Sequence, residues 1–89
     1  MANEWRSTLE RMGFRPHGDY GAMRVMLEDV EIIAIPHPLK GLSLSAHYVS
    51  RDIIAEVEDF VPLRATRQDI AIVMAHIFEQ VHPEGRSVR

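Results

Sequence analysis

The chain has 89 residues, 46% hydrophobic and 26% charged, with a formal net charge of −3, a pI of about 5.9 and no cysteine. This length holds one hydrophobic core, so the chain reads as a single domain over residues 1–89, and the composition is globular rather than disordered. Without cysteine there is no disulfide framework, thiolate metal site or thiol catalysis, and a cytoplasmic setting is expected.

No apolar run approaches the ~18 residues of a membrane span, and Met1 to Arg6 lead into an amphipathic pattern rather than a signal peptide, so no membrane partner is expected. The acidic balance disfavours a nucleic-acid partner, because such domains gain affinity by neutralising phosphates. A domain this small buries a lower fraction of its surface than a large one, which favours a second copy as a source of stability.

Trp5, Leu9 and Met12 share one helical face, with Asn3 as cap and Gly13 at the C-terminal stop, which predicts a helix over Asn3 to Met12. Arg15 to Gly21 contains Pro16, Gly18, Asp19 and Gly21 and reads as an irregular strand or a loop. Met23, Val25 and Leu27 then alternate with Arg24, Met26 and Glu28, the pattern of a strand with one buried face. Asp29 marks a turn. The β-branched run Val30 to Ile35 predicts a central strand covered on both sides and ended by Pro36 and Pro38.

Leu42, Leu44, Ala46 and Tyr48 alternate with Ser43, Ser45 and His47, giving a short further strand or an extended edge segment. Val49, Ile53, Val57 and Phe60 or Val61 have helical spacing, so a second helix is expected from Ser50 to just before Pro62. Ile70, Val73, Met74, Ile77, Phe78 and Val81 make the clearest amphipathic helix, opened by a Thr66/Asp69 capping box and closed by His82, Pro83 and Gly85. Residues 84–89 read as a frayed tail. The expected fold is α+β, a two-layer sandwich with an α-β-β-β-α core and an additional C-terminal helix.

Gly13-Phe14 after the first helix, Gly21-Ala22 opening the next strand, Ile35-Pro36-His37 at the end of the apolar strand, and Ile53-Ile54 beyond it resemble the HicA family. These are toxin–antitoxin mRNA interferases with a fold like that of double-stranded-RNA-binding domains. The resemblance covers roughly Trp5 to Phe60. It implies an RNA-cleaving ancestry, with the family's catalytic histidine aligned to Met23, a thioether that cannot exchange a proton. No catalytic residue is therefore assigned. On the RNA-directed alternative, Arg15, Arg24, Lys40 and Arg51 would contact phosphates and His37 would replace the lost histidine.

The five histidines, His17, His37, His47, His76 and His82, show no spacing for a shared metal, so neither a metal nor another cofactor is expected. For proton transfer the best candidate is His37, if the strands bring it to His17 or His47. Ser43, Ser45 and Ser50 read as the wet side of a strand and a cap rather than as nucleophiles. Glu56, Glu58 and Asp59, at the unfavourable end of the second helix dipole, are candidates for contacting a basic partner. Ile72 lies off the buried stripe beside His76 and, with Met26 and Ile33, suggests an apolar patch for a partner or a second copy. The reading reached is a non-enzymatic binding or inhibitor protein on a HicA-like scaffold, by analogy of the kind that a phage uses against a nucleic-acid-directed defence complex.

Overall fold

The computed structural model describes residues 4–18, 21–48 and 57–81. Helix α1 (Glu4–Arg11) leads into strands β1 (Arg15–His17), β2 (Ala22–Leu27), β3 (Val30–His37), β4 (Gly41–Tyr48) and β5 (Val57–Val61), and helix α2 (Arg67–Val81) closes the chain. The strands form one antiparallel sheet in sequence order, so the class is α+β as expected.

The order differs from the expected α-β-β-β-α core with an added helix. Val57–Val61, assigned from the sequence to a second helix, is β5, paired in register with Leu42 to Ala46 of β4. The remainder of that expected helix, with Arg51 and Glu56, lies outside the described residues, as does the tail 84–89.

Helix α1 stops where glycine permits it. Gly13 has φ 101°, the Phe14 amide donates to the Leu9 carbonyl and the Gly13 amide to the Glu10 carbonyl, each at 3.0 Å, which is a Schellman closure. It turns Phe14 back onto Leu9, and both are buried. At the other end of the chain, Thr66 and Asp69 form the expected capping box through two reciprocal 3.2 Å bonds.

Register decides which side chains meet. Met23, Val25 and Leu27 of β2 stand opposite Ala34, Ile32 and Val30 of β3, and β4 continues the row with Leu44 and Ala46. Trp5 and Leu9 from α1 and Ile70, Met74, Ile77 and Val81 from α2 close over this face and make one core. Both helices therefore lie on the same side of the sheet, and no described element covers the other side.

Two sequence expectations change here. The run Val30 to Ile35 is central in the sheet but buried on one face only, with Ile33 half-buried and Ile35 44% exposed. Of the two readings open for Leu42 to Tyr48, the strand is the one formed, and β4 is interior, flanked by β3 and β5. Pro36 does not end β3 because the pairing with β2 ends at Ala34, leaving Pro36 paired with β4 alone, where its missing N–H costs no ladder bond.

Candidate functional site

The uncovered face of the sheet is an array of three rows set by register. Ile35, Ser43 and Phe60 form one; Arg15, Arg24, Ile33, Ser45 and Glu58 form the next; Met26, Glu31 and His47 form the third. From Gly41 to Ser45 the open-face residues of β4 are small, Gly41, Ser43 and Ser45, whereas β3 presents Ile33, Ile35 and His37 and β5 presents Glu58 and Phe60. By residue size this part of the face is lowest along β4, a shallow trough between larger neighbours that ends at His47.

Five of its polar groups are tied to one another. Glu31 pairs with the Arg24 guanidinium on β2 and lies 3.0 Å from His47 Nε2 on β4, so two cationic or donor groups hold one largely buried carboxylate. Ser43 donates to Glu58 Oε2 at 2.6 Å across the β4–β5 ladder. These bonds lock side chains that would otherwise lose rotamer freedom when a partner docks.

His37 is anchored at the end of β3. Its Nδ1 accepts from the backbone amides of Leu39 and Lys40 at 3.1 and 3.0 Å, fixing the three-residue turn into β4. Its ring meets Phe60 edge-on, with centroids 5.5 Å apart at 85°, and Lys40 Nζ lies 4.9 Å from the Phe60 centroid. With Nδ1 already shared by two amides, His37 serves the turn.

The histidines considered for joint proton transfer are not brought together. His37 pairs with Gly41 at one end of the β3–β4 hairpin, while His47 pairs with Glu31 towards the other. His17 is on β1, separated from β3 by β2. Met23, where the family resemblance places a catalytic histidine, is fully buried in the core. Among the described residues no group of three or more metal-ligating side chains converges.

The other sequence candidates divide between the two faces. Arg15 and Arg24 are register partners on the open face, and Lys40 is at its end. Glu58 is on the open face of β5, and Asp59 is on the helix side, where its Oδ1 accepts from the Phe60 amide at 2.8 Å. Neither is at a helix C-terminus, so the dipole argument for them does not apply. Ile72 (60% exposed) and His76 are on the outer side of α2, and the Gln80 amide lies 3.1 Å from His76 Nε2. Ile33 is on the opposite face of the molecule from Ile72, so the single patch expected from Ile72, Met26 and Ile33 is not formed. Met26, in the third row of the open face, also borders an apolar groove with Met12, Ala71, Ala75 and Phe78.

Sequence reading missed a second feature. Pro38-Leu39-Lys40 in the β3–β4 turn and Pro62-Leu63-Arg64 after β5 repeat one Pro-Leu-basic order, and the two loops line one cleft together with Phe60. The repeated tripeptide was the available signal; that both copies stand at one end of the sheet follows only from the strand order. No protein-family model, curated protein or solved structure matches this chain.

Proposed function

We propose that the chain is a non-catalytic binding domain that acts in the cytoplasm by occupying a protein partner through the open face of its sheet. The observation that carries this reading is the trough along β4, walled by Ile35, 44% exposed, with half-buried Ile33 and Phe60. Exposed apolar side chains beside polar groups that are largely bonded to one another have the make-up of an interface. The HicA resemblance fits as ancestry of a scaffold whose catalytic position is now a core methionine, and inhibition of a nucleic-acid-directed complex is the role that it suggests by analogy.

One observation favours a second reading, RNA binding or an mRNA interferase. Arg15 and Arg24 stand side by side on the open face, and Lys40 is a further cation in the turn after β3. Against it, Arg24 is neutralised by Glu31 and His37 is committed to its turn.

Incubation of the purified protein with single- and double-stranded RNA at near-stoichiometric ratios separates the two. The expected result is intact RNA. Cleavage that disappears in His37→Ala overturns the binding reading in favour of the interferase.

A further inference from the structure

The cleft between the turn at residues 38–40 and the loop at residues 62–64 combines features that the trough alone does not explain. Leu39 is 90% exposed and Leu63 42% exposed, and both line it, so two aliphatic side chains stand in water at the rim of a concavity. Each is followed by a cation, Lys40 or Arg64. No carboxylate lines the cleft among the described residues, in a chain where acidic residues outnumber Lys and Arg by 13 to 10. Arg64 has no ion-pair partner among the described residues.

The rim is also held in place. Each leucine follows a proline, whose ring fixes φ, and the two amide bonds to His37 Nδ1 pin the first loop. Gly41 lets that loop approach β5: a Cβ there would stand 2.4 Å from the Val61 carbonyl oxygen. A cleft formed in advance loses little entropy when it is filled.

We propose that this cleft captures an acidic segment of the protein partner, an aliphatic or aromatic side chain flanked by carboxylates. The proposal rests on the binding-domain reading and adds the chemistry of what is bound. The apolar side chain enters between Leu39 and Leu63, and the flanking carboxylates meet Lys40 and Arg64. Such charge complementarity selects against basic segments and accelerates encounter. A lipid surface and RNA share the negative charge and fit the shape less well. A bilayer presents no single side chain to fill the gap between Leu39 and Leu63, and Lys40 lies against the Phe60 ring on which a base would stack.

The test is selection of phage-displayed random peptides on the wild-type protein and on Lys40→Glu/Arg64→Glu, followed by fluorescence polarisation with the selected peptide. Leu39→Ser/Leu63→Ser is the second variant, and thermal melts check that both stay folded. The expected result is enrichment of acidic peptides with an aliphatic or aromatic centre, bound at least about tenfold more weakly by either variant and weakened in about 0.5 M salt. Enrichment no greater than on the charge-reversed variant, or of peptides lacking acidic residues, overturns the proposal. So does binding of phosphatidylserine vesicles or RNA, lost in the charge-reversed variant, in place of peptide. Capture of a native protein partner that is lost in Ile35→Glu but retained in Lys40→Glu/Arg64→Glu leaves the binding-domain reading standing and removes the cleft from it.

Discussion

Glu28 and Gly41 both occupy the left-handed region of backbone space, at φ 59° and φ 97°, and only one of them is a glycine. Glu28 is the first residue of the two-residue turn between Leu27 and Val30, where a side chain raises the conformational energy. Glu28→Gly should therefore raise stability by about 0.5–1 kcal/mol, the relief of strain less the extra freedom of glycine in the unfolded chain. Gly41→Ala should lower it by about 2 kcal/mol or more, because left-handed strain is joined by contact with the Val61 backbone. Urea unfolding of both variants checks the two signs. Equal and small effects would mean that neither turn has the described geometry. Gly41 was not singled out in the sequence, since its demand comes from a strand that was read as a helix.

Among the elements, α2 was legible and β5 was not, for the same physical reason. Ile70, Met74, Ile77 and Val81 repeat at helical spacing and are all buried, so pattern and packing agree. In β5, Asp59 occupies the helix side and Phe60 the open side, the reverse of a normal apolar-in alternation, while Val57 and Val61 are four apart as on a helix. Periodicity therefore pointed the wrong way. Within α2 the contrast between faces can be measured. Ile77→Ala should cost about 2–5 kcal/mol, a large share of the stability of a small domain. Ile72→Glu should stay within about 0.5 kcal/mol of wild type and leave the mass by light scattering unchanged. A dimer converted to a folded monomer by Ile72→Glu would instead assign the outer side of α2 to a second copy.

At the scale of the whole molecule, the α+β class and the core residues of α1, β2 and α2 were readable because each shows one-sided burial in its own spacing. The candidate surface was not. It is assembled from β1 to β5 by register, and the Glu31–His47 and Ser43–Glu58 contacts join residues whose adjacency the sequence does not display. Continuous β-branched sequence in β3 also suggested cover on both faces, whereas both helices pack on one. That one-sidedness makes the binding reading directly testable. The measurement is stoichiometric capture from a lysate of the native cells with tagged wild type and tagged Ile35→Glu, after matched melting curves establish that both are folded. The account expects a defined protein, resistant to nuclease treatment, with wild type and its loss with Ile35→Glu; recovery of RNA in its place, or of the same protein by both baits, would contradict it.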